Sequence, residues 1–304
     1  MNIKAVSTNK SSVSEAAADI KRQLAGFQVK MMVYFASYEA YDAAAISAEM
    51  QSAFAGAVVY GCSSHAEMLG GKTSLGTVTA MAFNSEAITD AKVEVLENLS
   101  GGIDVSSAFR SFDAHFNTSM ADADYRKYGG MVLIDGASFK EEEVMDKIGS
   151  RTNIMFVGGS ASDNLAFKKT YIYANGKAYP NAALLAIFKT KNGIDYIKTQ
   201  SVDVTDISLT VTKANGRAII EYDNQPAAIR YAEVIGVKPE EVQPMLFANP
   251  VGLVIDSDVY LRACPIIDGT TMVYYCSMME GMEVKLCKIR NIIPDIKAAV
   301  QNKV

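Results

Sequence analysis

The sequence of 304 residues has no tryptophan, two histidines and four cysteines. The cysteines, Cys62, Cys264, Cys276 and Cys287, form no C-x-x-C pair, which removes a zinc ribbon or a thioredoxin-type redox motif. With His65 and His115 alone, and no His–Cys cluster, no metal site is expected. Basic charge is also short. Against 34 Asp and Glu there are 29 Lys and Arg, a net charge of −5, so a phosphate-binding stripe and a nucleic-acid partner are not expected. No apolar run reaches the roughly 18–20 residues of a membrane helix. The first ten residues lack the apolar stretch of a signal peptide. Together these absences predict a cytoplasmic protein without a membrane span. Catalytic signatures are missing too: there is no H-E-x-x-H, P-loop, G-x-S-x-G or G-x-G-x-x-G. Cys62 or Ser63 beside His65 invites a nucleophile reading. Adjacent residues rarely point at each other, however, and a nucleophile and its base must approach to about 3 Å. The expectation is a non-enzyme with no catalytic residues.

What is present is one device used twice. Val58–Ser64 and Met155–Ser162 are short apolar runs that stop at a corner of small, hydroxyl-bearing residues. Such a corner turns backbone N–H groups and hydroxyls toward whatever lies beyond the strand tip. The surroundings repeat as well. Met31–Gly61 reads as strand, helix, strand and glycine corner, and Met131–Gly158 reads the same way. Gly71-Lys72 then leads to Phe83 as Gly176-Lys177 leads to Phe188, with equal spacing. Asn175-Gly176 is a hairpin turn, predicted to join Thr170–Tyr173 to Ala182–Phe188. Helices are expected over 11–24, Tyr41–Phe54, Val105–Met120 and Glu141–Ile148, and a further strand over Ile194–Gln200. After residue 200 the pattern changes to hairpins, with turns at Asn215-Gly216, Asp268-Gly269 and Glu280-Gly281 and helices after Pro226 and over Ile292–Gln301. The fold class is α/β. An internally duplicated βαβ-hairpin domain is expected over 1–200, followed by a smaller α+β module, rich in antiparallel hairpins, over 201–304.

These residues resemble the FIST family. Tyr60-Gly-Cys-Ser-Ser with Glu67 is similar to the first signature of its N-terminal domain, and Gly158-Gly-Ser-Ala-Ser-Asp-Asn to the second. The companion C-terminal domain is matched by Val211-Thr-Lys-Ala-Asn-Gly, Glu221-Tyr-Asp-Asn-Gln-Pro-Ala, Arg262-Ala-Cys-Pro-Ile and Met279-Glu-Gly-Met-Glu-Val. The resemblance covers roughly residues 10–300. It departs at His65-Ala66, where the family usually shows a glycine beside the Glu. It departs again after Gln301, where family members continue with a further strand and a Tyr-Gly-Glu segment, so a short or cut C-terminal module is expected. The resemblance implies a sensory role for small polar ligands such as amino acids. It also implies a signalling partner such as a histidine kinase or chemoreceptor, and no cofactor. Some relatives are haem-based nitric-oxide sensors, and His65 is the better candidate ligand for that alternative.

The candidate ligand-binding residues follow. Cys62, Ser63 and Ser64 offer donors to a carboxylate, or form a turn that needs small residues. Gly158, Gly159 and Ser160 permit close backbone approach. Asp163 and Asn164 suit an ammonium group or a cap, and Glu67 suits a ligand amine. Asp135 ends a strand where open α/β sheets place ligands, or serves the turn before Gly136. Arg262, between apolar neighbours, suits a bidentate carboxylate contact or a solvent-facing strand position. His115, on its helix, reads as a surface residue.

Overall fold

The structure, a computed structural model, describes residues 1–164, 166 and 168–303. It divides into two compact units, Met1–Asp195 and Tyr196–Val304.

The first unit is two copies of one motif. Copy one runs β1 (Ile3–Thr8), α1 (Val13–Gln23), β2 (Met31–Ser37), α2 (Ala43–Ala53), β3 (Val58–Ser64), β4 (Ala66–Leu69), β5 (Lys72–Leu75) and β6 (Val78–Phe83). Copy two runs β7 (Ile88–Glu97), α3 (Ser106–Phe116), β8 (Tyr128–Asp135), α4 (Glu141–Gly149), β9 (Phe156–Ala161), β10 (Ile172–Ala174), β11 (Lys177–Tyr179) and β12 (Ala182–Thr190). The sheets confirm the repeat. Order β1-β6-β2-β3 in one matches β7-β12-β8-β9 in the other, each with two antiparallel pairs and then one parallel pair. Local chemistry sets the helix starts. Ser12 accepts from the Glu15 amide at 3.2 Å and donates to its carboxylate, and Asp42 accepts from the Ala45 amide at 2.8 Å.

Strand alternation then builds layers. On β2, Met32, Tyr34 and Ala36 face the α1/α2 core, whereas Met31 and Val33 face a different one. On β12, Ala183, Leu185 and Ile187 join the core with α3 and α4, while Ala182, Leu184 and Ala186 join the same core as Met31 and Val33. The unit is therefore helix, sheet, sheet, helix, with the central strands β2 and β12 buried on both faces. That is why its inner strands read as continuous apolar runs.

The Asn175-Gly176 turn joins β10 to β11, and both belong to the first sheet through β10–β3 pairing. The expected partner segment is instead β12, which lies between β7 and β8 in the other sheet. The helix expected to reach Met120 stops at Phe116, where Asn117 takes a left-handed φ of 49°. Ile194–Gln200 is not a strand; it is irregular chain without ladder pairing.

The second unit is an antiparallel sheet. Its elements are β13 (Val202–Asn215), β14 (Ala218–Tyr222), β15 (Gln225–Pro226), α5 (Ala227–Ile235), β16 (Val251–Ile255), β17 (Asp258–Arg262), β18 (Ile266–Asp268), β19 (Thr271–Val273), β20 (Glu283–Ile289) and α6 (Ile292–Gln301). The order is β17-β16-β20-β13-β14-β19-β18, with β15 beside β14. The α5 helix closes over Leu209, Ile219, Tyr222, Met272 and Tyr274, and ends at Gly236 with φ 72°. Among the described residues no helix is long and apolar enough to cross a membrane.

Candidate functional site: the joined strand ends of the two repeats

The ends of β3 and β9 meet. The Ser162 amide donates to the Ser63 carbonyl at 3.1 Å, and the Ser63 hydroxyl donates to the Ser162 carbonyl at 3.3 Å. The Ser63 amide donates to the Tyr171 carbonyl at 2.9 Å, and the Tyr171 amide donates to the Ser63 hydroxyl at 3.0 Å. The His65 amide donates to the Ser162 hydroxyl at 3.1 Å. Thus the two corners share one seam, sewn by two serines. The His65 ring adds an unusual atom there: its Nδ1 is buried and has no hydrogen-bond partner among the described residues. Buried polar atoms are nearly always paired, so this one stands out.

The glycines of the corners serve the sheets. A Cβ on Gly61 would sit 1.8 Å from the Tyr34 carbonyl oxygen, and one on Gly158 would sit 1.6 Å from that of Val132. Each glycine lies opposite that same neighbour in the parallel ladder. Over Gly61 the rings of Tyr34 and Tyr173 stack, centroids 5.4 Å apart, from strands on either side of β3. Gly159 is different. It is exposed, and a Cβ there would meet nothing within 4 Å.

Several candidate acids are engaged by the protein. Glu67 is buried; its carboxylate accepts from the Ser64 hydroxyl at 2.6 Å, the Thr77 hydroxyl at 2.6 Å and the Thr77 amide at 3.3 Å. Asp135 is buried too, accepting from the Ala137 amide at 2.9 Å, the Thr170 hydroxyl and the Asn181 amide. Asp163 accepts from the amides of Lys168 and Lys169 at 2.8 and 3.0 Å and so closes the loop after β9. Asn164, with φ 58°, donates to Glu39 of the first repeat at 2.9 Å. The Ser160 hydroxyl, exposed, donates to Glu141 at 3.0 Å. Cys62 points into the core between the sheets, and burial pushes its thiol up to about 12. It is a thiol, not a thiolate, near neutral pH. His115 is held by Asp90, 3.1 Å from its Nε2. Arg262 belongs to the second unit, at the end of β17.

Sequence reasoning overlooked Ser162 and underweighted His65. Once Gly61 and Gly158 are equated, both fall at the same place in the two repeats, four residues past the glycine, and that register was the available signal.

An uncharacterized protein of Methanocaldococcus jannaschii is 25% identical over 191 residues, which cover 56% of this chain and 37% of the relative. The match therefore takes in little more than a third of that protein's length. The FIST N domain matches residues 30–225, which span both repeats beyond the first strand and helix and continue to β15. The chain belongs to the FIST family, a small-ligand sensory domain of signalling proteins.

Proposed function

We propose that the first unit senses an amino acid or a similar small polar metabolite at the seam between β3 and β9. The observation that carries this is the buried Nδ1 of His65, without a partner among the described residues, on a residue whose backbone amide is bonded to the Ser162 hydroxyl where strands of both repeats end. The Ser63 and Ser64 hydroxyls are already given to the Ser162 carbonyl and to Glu67, and Cys62 points into the core, so the backbone offered to a ligand is that of the exposed Gly158, Gly159 and Ser160. Asn164, tied to Glu39, crosses the same seam. Glu67, Asp135 and Asp163 act by fixing the loops that shape it, since their oxygens already take two or three protein donors each. A ligand that bridges the repeats favours one arrangement of the two sheets over another, and a signalling partner such as a histidine kinase or chemoreceptor reads that shift. The role is binding without turnover. A thiol pushed up to about 12 is a poor nucleophile.

We favour this reading over haem because the Nε2 of His115 is taken by Asp90 and the His65 amide is bonded to a serine hydroxyl at a seam of serines and backbone.

The test is a thermal-shift and calorimetric screen of the full chain against amino acids, dicarboxylates and polyamines. A true ligand at about a hundredfold its Kd adds roughly 2.7 kcal/mol. That gain should shrink in Ser162→Ala and vanish in His65→Ala. A screen with no stabilising compound, or a ligand indifferent to both substitutions, contradicts the proposal. So does a haem Soret band that depends on His65.

A further inference from the structure

Residues two apart on a strand share a face, so Asp258, Tyr260 and Arg262 make one stripe along β17. Residues 198–202 run beside this edge strand and complete a cleft of about 400 Å³. The wall is pinned by Gln200, whose side-chain amide accepts from the Val259 amide at 3.2 Å and donates to the Val259 carbonyl at 3.1 Å. One side chain thereby occupies both backbone groups of an edge residue. Lys198 matches the first two members of the stripe. Its Nζ lies 2.6 Å from Asp258 Oδ2 and 5.5 Å from the centre of the Tyr260 ring.

Arg262, which lines the same cleft, has no such match. Among the described residues its Nε is buried without a hydrogen-bond partner, and its Nη1 reaches only the carbonyls of Tyr260 and Leu261, both at 3.4 Å. Among the described residues no carboxylate lies within ion-pair distance of it. Keeping a guanidinium partly out of water with no counter-charge is costly, and a carboxylate in its planar fork removes that cost.

The remaining chemistry narrows the ligand. No acid is among the residues lining the cleft, and the charge of Lys198 is neutralised by Asp258, so Arg262 leaves a single net positive charge. One charge matches one carboxylate better than a phosphate dianion. With Asp258 engaged, no free acid remains for an ammonium group, which disfavours an amino acid. Tyr260, on the same face as Arg262, supplies apolar contact. We propose that this cleft of the second unit is a separate binding site for a small monocarboxylate with an apolar or aromatic body. The acid sits on Arg262 and the body lies along Tyr260. The site does not rest on the strand-end reading and involves none of its residues.

The full chain is titrated with 3-phenylpropionate, its neutral amide and inorganic phosphate, followed by calorimetry and by NMR of the tyrosine rings. The expected result is saturable one-site binding of the acid, with the amide and phosphate at least about tenfold weaker. Arg262→Gln is expected to weaken the acid by about tenfold or more, and Arg262→Lys to recover part of the loss. Ser162→Ala, at the seam of the first unit, should leave the affinity unchanged. No saturable binding, equal affinity for acid and amide, tighter binding of phosphate, or an unaffected Arg262→Gln variant overturns the proposal. Should Arg262→Gln lower the melting temperature, the acid–amide contrast in the unmodified chain decides alone.

Discussion

Gly61 and Gly158 show how one residue type can carry two meanings. A glycine at a strand tip beside serines reads as an opening for a ligand. In the folded chain each of these two glycines is an opening for the neighbouring strand. With a Cβ only 1.8 or 1.6 Å from a backbone carbonyl oxygen, no side-chain rotation relieves the contact, and β2–β3 or β8–β9 must separate. At Gly61 the substitution also wedges apart the Tyr34–Tyr173 stack. We expect Gly61→Ala and Gly158→Ala to cost roughly 3 kcal/mol or more each. Gly159→Ala, which meets nothing within 4 Å, should stay within about 1 kcal/mol. Urea unfolding of the three variants checks this. Equal losses at all three positions would place the glycine requirement in backbone conformation instead of strand contact. Glu67 and Asp135 teach the same lesson from the polar side. Their types are legible in the sequence as candidate ligands. Their partners Thr77, Thr170 and Asn181 lie 10, 35 and 46 residues away, beyond any local pattern.

At the scale of elements, the repeat was readable because each copy obeys the same local grammar of strand, helix, strand and glycine corner. Layering was not. The hairpin of the second copy, β10–β11, leaves its own sheet and covers the edge of β3, with Ile172, Tyr173 and Ala174 opposite Cys62, Gly61 and Tyr60. Periodicity identifies strands and turns but does not say which sheet receives them, so β12 was matched to the wrong neighbour. The corresponding hairpin of the first copy, β4–β5, pairs only with itself. Among the described residues the edge of β9 therefore carries no strand, and Val157, Gly158, Gly159 and Ser160 are exposed. Two equivalent strands thus differ in one respect, the presence of an outer neighbour. Amide hydrogen exchange should report it: amides of Gly158–Ser160 should exchange at least about tenfold faster than those of Gly61–Ser63. Equal protection would mean that the β9 edge is covered in solution. A ligand at the seam should slow both sets together, because Ser63 and Ser162 are bonded to each other.

Across the whole chain, the two units share an electrostatic weakness that neither fold nor family announces. The first buries Tyr34, Tyr60, Tyr173 and Cys62; the second buries Tyr222, Tyr231, Tyr274 and Cys264. Burial is the leading cause in every case, and it raises each of these groups. Cys62 reaches about 12 and Cys264 about 11, and all six tyrosines lie above their ordinary value. The sign follows from proton counting. Below about pH 8 both the folded and the unfolded chain hold these protons, and pH has little leverage. Above it the unfolded chain releases them first, so it binds fewer protons than the folded one and stability falls as pH rises. Each group contributes about 1.4 kcal/mol per pH unit once fully ionised in the unfolded state. Four per unit approach a slope of about 5 kcal/mol per pH unit near pH 11. Against a typical stability of about 5–15 kcal/mol, each unit should unfold within one to three pH units above about pH 10. Guanidinium unfolding at stepped pH, with tyrosinate absorbance recorded alongside, tests this directly. The buried phenols should ionise together with the loss of secondary structure in one cooperative step. Gradual ionisation with the fold intact would show that water reaches these rings, and would take away the burial on which both the inter-sheet core and the α5 core depend.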